Sequence, residues 1–133
     1  MSDSNTIVSS FRSKWGTAFA LQAALSVAAG AFGAHGLKAI LDTQALEWWQ
    51  TGSQYLMYHA LAGLIAVGLS AFLPRLQWVL VFFSLGNLLF AGSLYTMALT
   101  GYTLLGAVTP LGGVCYLSAW CLLALKCWRY TPE

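Results

Sequence analysis

Residues 76–125 read LQWVLVFFSLGNLLFAGSLYTMALTGYTLLGAVTPLGGVCYLSAWCLLAL, with no Asp, Glu, Lys, Arg or His between Arg75 and Lys126. A helix rising about 1.5 Å per residue crosses the roughly 30 Å hydrocarbon core of a bilayer in about 20 residues, so this stretch is long enough to cross twice. Thr100, Gly101, Tyr102 and Thr103 are its one concentration of turn-compatible residues. They divide it into spans at 77–99 and 104–125.

Working outward, residues 55–73 form a second apolar run in which His59 is the one ionisable side chain besides tyrosine. It meets the third span at Pro74, Arg75 and Leu76. Residues 15–35 make a first span, free of charge from Trp15 to Ala34. Arg12 and Lys14 before it, with Ala31, Gly33 and Ala34 near its end, imitate a signal peptide, but the run exceeds the roughly 7–15 residues of a typical apolar region. The whole chain of 133 residues is 59% hydrophobic and 8% charged, against about a quarter charged in an ordinary soluble domain. That composition argues against a water-soluble monomer.

In hydrocarbon every backbone amide needs an internal partner, and the alternation that a closed barrel requires does not occur here. The expected fold is therefore all-α, a bundle of four transmembrane helices in a single domain. Orientation comes from the basic residues. With a cytoplasmic N-terminus, Arg12, Lys14, Arg75, Lys126 and Arg129 lie inside and Lys38 lies outside, which satisfies the positive-inside rule. Both termini are then cytoplasmic.

Residues 36–54 are the long outer connection. Leu37, Ile40 and Leu41 share one helical face, and Asp42 or Thr43 can cap a helix that presents Ala45, Leu46, Trp48 and Trp49. A short interfacial helix running into the second span is expected. Trp48 and Trp49 suit the headgroup level, where lipid anchoring is the plainer role and a partner interface the sharper one.

Small residues recur at helical spacing and mark packing faces. In the first span these are Ala20, Ala24 and Ala28, or Ser26 and Gly30 with Gly33 or Ala34. In the second they are His59, Gly63, Ala66 and Ser70, and in the third Gly86, Phe90, Ser93 and Met97. His59 lies sixteen residues before Arg75, Ser93 sixteen beyond Gln77 and Thr109 seventeen before Lys126, so the three share one depth near the outer face, and His35 ends the first span there. His35, His59, Ser93 and Thr109 are thus a candidate polar layer, since an ionisable group inside a membrane is a functional hypothesis by default. The plainer reading is that the histidines pin helices together.

Other chemistry is poorly supported. His35, Asp42, Glu47 and His59 match no recurring zinc spacing, and Cys115, Cys121 and Cys127 step around the helix, so no metal is expected. No span contains a carboxylate, and no nucleophile signature, phosphate loop or cofactor motif occurs, so neither an enzyme nor a cofactor is expected. A nucleic-acid partner would need a basic patch. Asn87, Ser84, Ser26 and Gln22 are the main mid-membrane polar groups, and Asn87 suits an interhelical hydrogen bond better than ion selection.

Four blocks, Gly30-Ala31-Phe32-Gly33-Ala34-His35-Gly36-Leu37, Tyr55-Leu56-Met57-Tyr58-His59-Ala60-Leu61, Leu89-Phe90-Ala91-Gly92-Ser93-Leu94-Tyr95 and Thr109-Pro110-Leu111-Gly112-Gly113, together resemble the YgdD-like inner-membrane proteins of unknown function, which have small mitochondrial relatives. The resemblance covers nearly the whole chain. It implies a four-helix inner-membrane protein without an assigned activity, and its blocks contain His35, His59, Ser93 and Thr109. The chain has no Arg-rich presequence, which favours the bacterial membrane. Pro110 removes an amide partner of Gly106, so a kink in the fourth span is expected, with Gly112 and Gly113 admitting a neighbouring helix. The functional expectation is an accessory or assembly component among membrane lipids, bound to a membrane-protein partner or to copies of itself. The alternative is a small transporter, channel or lipid-binding protein that uses the polar layer. A distant third is an enzyme at the outer interface built from His35, His59, Asp42 and Glu47.

Overall fold

The computed structural model describes residues 2–131, with side chains from residue 6 onward. These residues form α1 (Ser2–His35), a 3-10 turn (Leu37–Ala39), α2 (Thr43–Leu69), α3 (Gln77–Gly86), a π turn (Asn87–Ala91), α4 (Gly92–Thr100), a second 3-10 turn (Thr103–Ala107) and α5 (Thr109–Trp128). α3, the π turn and α4 make one rod, Gln77–Thr100. Three stretches are long and apolar enough to cross a membrane: Thr6–Ala39, Gln77–Thr100 and Thr103–Trp128. α2 is 27 residues long and carries Glu47, Gln50, Gln54 and His59. It is the central helix, packed against α1, α3, the π turn and α4, whereas α5 packs on α3 and the π turn. Of these only His59 is buried against protein; Glu47, Gln50 and Gln54 are exposed in the first half of the helix.

Local chemistry sets the ends of these helices. The Asp42 carboxylate accepts a hydrogen bond from the Ala45 amide at 2.8 Å and caps α2. The connection between α1 and α2 is shorter in structure than its sequence length suggests. Leu37 is buried in a three-residue 3-10 turn, Ile40 is exposed, and the segment read as an interfacial helix is continuous with α2 from Thr43. At the same rim, beside Leu41 and Asp42, Gly101 ends α4 with φ 70°, its amide bonded to the Met97 carbonyl at 2.8 Å. This left-handed stop is the break expected at Thr100–Thr103.

Pro110 does not kink a span. It lies in the first turn of α5, where the amide it lacks would have had no helical partner. α1, at 34 residues, spans about 51 Å and outruns the bilayer core. Its N-terminal turns were not read as helix from sequence. There the Arg12 guanidinium donates to the Ser70 carbonyl at 3.1 Å and to the Ser70 hydroxyl at 3.3 Å, tying α1 to the α2–α3 turn. In that turn Arg75 holds φ 58° between buried Leu73 and Leu76.

The helices are keyed by glycine notches arranged reciprocally. Trp49 of α2 lies over Gly33 of α1, where an added Cβ would stand 2.6 Å from the indole; Phe19 of α1 lies over Gly63 of α2, where it would stand 2.3 Å from the ring. Fourteen residues separate Phe19 from Gly33, and fourteen separate Trp49 from Gly63. α3 and α5 make the same exchange at closer spacing. Tyr116 of α5 covers Gly86, where its ring leaves no room for a Cβ, and a Cβ added to Gly112 of α5 would stand 2.5 Å from the Phe90 amide nitrogen of the π turn. Four residues separate each of these pairs. Equal spacings follow from antiparallel axes with a common rise per residue.

Of the small-residue faces, those in α2 and the Gln77–Thr100 rod point inward, but Ala20, Ala24 and Ala28 are exposed. The buried face of α1 is Phe19, Ser26, Ala29 and Gly33. Lipid accepts an alanine face as readily as protein does, so small size alone did not distinguish the two sides.

Candidate functional site

The proposed polar layer divides into separate parts. Ser93 and Thr109 do meet, their hydroxyls 2.7 Å apart, joining α4 to the start of α5. His35 is exposed at the end of α1, and among the described residues no hydrogen bond or ring contact joins it to the other three. His59 lies deeper. It stacks on Tyr116 with ring centroids 3.5 Å apart and planes 8° from parallel. Tyr116 is seven residues into the bundle from Thr109, or about 10 Å along α5. Counting depth from Arg75 misplaced His59 because α2 ends at Leu69 and the chain folds back there, with Phe72 and Leu73 amides bonded to the Leu69 carbonyl.

His59 is 7% exposed and shares Nδ1 with the Tyr55 carbonyl at 2.8 Å. A carbonyl can only accept, so Nδ1 carries the proton and Nε2 of the neutral ring is the acceptor. Around it lie Tyr55, Phe83 and Trp120, with centroids 5.9, 5.8 and 6.2 Å away. Below the ring stack the polar groups run on as a chain. The Tyr116 hydroxyl donates to Asn87 Oδ1 at 2.9 Å, Asn87 Nδ2 donates to Gln22 Oε1 at 2.6 Å, and Gln22 Nε2 donates to the Ser84 hydroxyl at 3.2 Å. This chain links α5, the π turn, α1 and α3. Asn87 thus makes the interhelical bonds expected of it, at the first residue of the π turn, a feature that often accompanies function. A laterally open slot of about 300 Å³ is lined by Gln22, Ser84, Asn87 and Tyr95 with apolar side chains between them.

A second polar cluster lies toward the N-terminus of α2. The Ser26 hydroxyl donates to the Ser53 carbonyl at 2.7 Å, while the Ser53 hydroxyl donates to the Trp49 carbonyl at 2.9 Å and lies 2.9 Å from the Tyr95 hydroxyl. The Trp49 indole donates to the Ala29 carbonyl at 2.7 Å and packs on Tyr95 at 4.4 Å between ring centroids. Trp49 is therefore a buried key between α1 and α2, neither lipid anchor nor partner surface. Trp48 is half-buried against the same cluster.

What this arrangement does chemically is bind helices to each other. No buried side-chain nitrogen or oxygen among the described residues is left without a partner. Nor do three of His, Cys, Asp and Glu come together there as a metal site would require. The sequence named Gln22, Ser84 and Asn87 as mid-membrane polar groups but missed Tyr116 and Tyr95, whose hydroxyls complete the two networks. The signal available was their spacing: Tyr116 follows Gly112 by one helical turn, on the same face.

The family described as "Protein of unknown function (DUF423)" matches residues 29–113. The UPF0382 membrane protein SSP2132 of Staphylococcus saprophyticus is 43% identical over 110 residues, covering 80% of this chain and 89% of its own. The UPF0382 membrane protein YwdK of Bacillus subtilis is 40% identical over 116 residues, covering 84% and 93%. The UPF0382 inner membrane protein YgdD of Escherichia coli is 41% identical over 109 residues, covering 78% and 81%. No solved structure matches the chain. With most of its length shared at this identity, the chain belongs to the DUF423 family and is a helical membrane protein.

Proposed function

We propose that this protein is a non-enzymatic membrane component that acts through contact with a membrane-protein partner or with further copies of itself. α1, α2, the Gln77–Thr100 rod and α5 each cross the bilayer once, with both termini cytoplasmic and the first turns of α2 at the outer interface. The observation that carries this reading is the commitment of the intramembrane polar side chains to neighbouring helices, through Gln22, Asn87 and Tyr116 and through Ser26, Ser53 and Tyr95. A transporter needs polar groups that exchange partners along a path, whereas groups held this way serve packing. The placement of Arg12 beside the α2–α3 turn, at the end that also carries Lys126, agrees with one basic side. The bacterial inner membrane is the proposed location, from the E. coli relative's name.

The test is to extract the protein at native expression with its surrounding lipids and measure the particle's mass and composition. A stoichiometric partner or a homo-oligomer supports the reading; a partner-free monomer defeats it. Replacing His59 with Ala is expected to lower thermal stability, since the ring is wedged against Tyr116. Unchanged stability with loss of a transported or bound ligand would favour the second reading, a lipid-binding protein or transporter. The slot beside Gln22, Ser84 and Asn87 is the observation that favours it.

A further inference from the structure

Two concavities flank Lys126 at the end of the bundle formed by the α2–α3 turn and the C-terminus of α5. One, of about 630 Å³, is walled by Phe72, Leu73 and Pro74 on one side and by Leu125, Lys126 and Arg129 on the other. The second, of about 480 Å³, lies between Arg75, Trp78 and Lys126. Each therefore holds two cations, with Lys126 common to both, and no described carboxylate lines either. Asp42 and Glu47 are at the opposite end of α2. Arg75 is held in the left-handed backbone region at φ 58°, which is uncommon for a long side chain and sets the direction in which it leaves the turn. Exposed Phe72, Trp78 and Leu125 supply an apolar rim beside the cations.

We propose that this end of the bundle binds a dianionic phospholipid, with its two phosphate diesters seated on either side of Lys126, one against Arg129 and the other against Arg75. Basic concavities between helices at a membrane surface suit such headgroups, and the apolar rim continues into the region of the acyl chains. Three cations against two phosphates leave a small positive excess. A lipid with one phosphate fills one concavity and leaves the other cation unpaired.

The test uses the full chain in neutral detergent, titrated with diphosphatidylglycerol, phosphatidylglycerol or phosphatidylcholine and read by native mass spectrometry, with inorganic phosphate as competitor. Diphosphatidylglycerol is expected to bind at least tenfold tighter than phosphatidylglycerol, on the order of the gain from one further cation–phosphate contact or more. Arg75→Gln and Arg129→Gln each weaken it about fivefold, Lys126→Gln about 25-fold, and Lys126→Arg little, at roughly one cation per phosphate contact. Lys38→Gln, at the far end, leaves it unchanged. Circular dichroism and melting of Lys126→Gln should match the parent, which separates lost binding from lost fold. Equal affinity for the one- and two-phosphate lipids overturns the proposal, as does a folded Lys126→Gln that binds like the parent. Displacement by millimolar inorganic phosphate overturns the lipid assignment in favour of a soluble anion.

Discussion

The α1–α2 pair and the α3–α5 pair are built on the same reciprocal exchange, bulk from each helix placed over a glycine of the other, yet they distribute it differently. In the first pair the two contacts are fourteen residues apart, about 21 Å, so the helices are keyed near both ends. In the second they are four residues apart, about 6 Å, and both fall at the π turn in the middle of the span. One pair is clamped along its length and the other is pinned at a point. Water does not drive helices together inside a bilayer, so close fit and interhelical hydrogen bonds carry the association. The pinned pair also takes the hydrogen-bonded chain through Asn87 and Tyr116, together with the His59 stack.

The largest effect is expected at the pin. Gly112→Ala places a methyl group against the Phe90 backbone and should destabilise by about 2–3 kcal/mol, in the range of overpacking. Gly113→Ala has nothing within 4 Å and should change stability by less than about 0.5 kcal/mol. Denaturant unfolding in mixed micelles compares the two, and equal costs would break the notch account. Next, Gly63→Ala should cost about 2 kcal/mol, and part of that should return when Phe19→Leu is added, because the obstacle is a side chain. The same rescue should fail at Gly112, where the obstacle is backbone, and this sharpens the contrast between clamp and pin. Asn87→Leu removes bonds to Gln22 and Tyr116 and should cost about 1–2 kcal/mol, near the upper end for such bonds in membranes. Ser93→Ala removes one interhelical bond, to Thr109, and a local one to the Phe90 carbonyl, and should cost about 0.6 kcal/mol by the same unfolding assay.

Features governed by neighbouring residues were readable in advance. The turn at Thr100–Thr103 depends on Gly101 reaching positive φ, the cap of α2 on Asp42 lying three residues before Ala45, and the approach at Gly112 on the absence of a Cβ. Pro110 was misread because a proline seven residues beyond a polar turn is compatible with either a kink or a helix start. In the structure α5 begins at Thr109, whose hydroxyl meets Ser93, and Pro110 follows in its first turn. Trp49 was misplaced for a related reason. An indole suits the headgroup region and a glycine notch equally well, and the notch is sixteen residues away in another helix.

The candidate site was visible as an inventory and not as a constellation. Gln22, Ser84 and Asn87 stand out as polar residues in apolar runs. Tyr116 and Tyr95 do not, since tyrosine is common near membranes for its ring as well as its hydroxyl. The sequence by itself determined that the chain is helical and lies in a membrane, and where its apolar runs begin and end. Those properties follow from the cost of exposing charge and unpaired backbone to hydrocarbon. Tertiary structure alone decided which face of each helix turns inward, that His59 lies apart from Ser93 and Thr109, and that Trp49 is buried. Lipid is as apolar as the protein interior, so hydrophobicity does not distinguish the two sides of a span. That choice is made by steric fit and hydrogen bonding between residues distant in sequence.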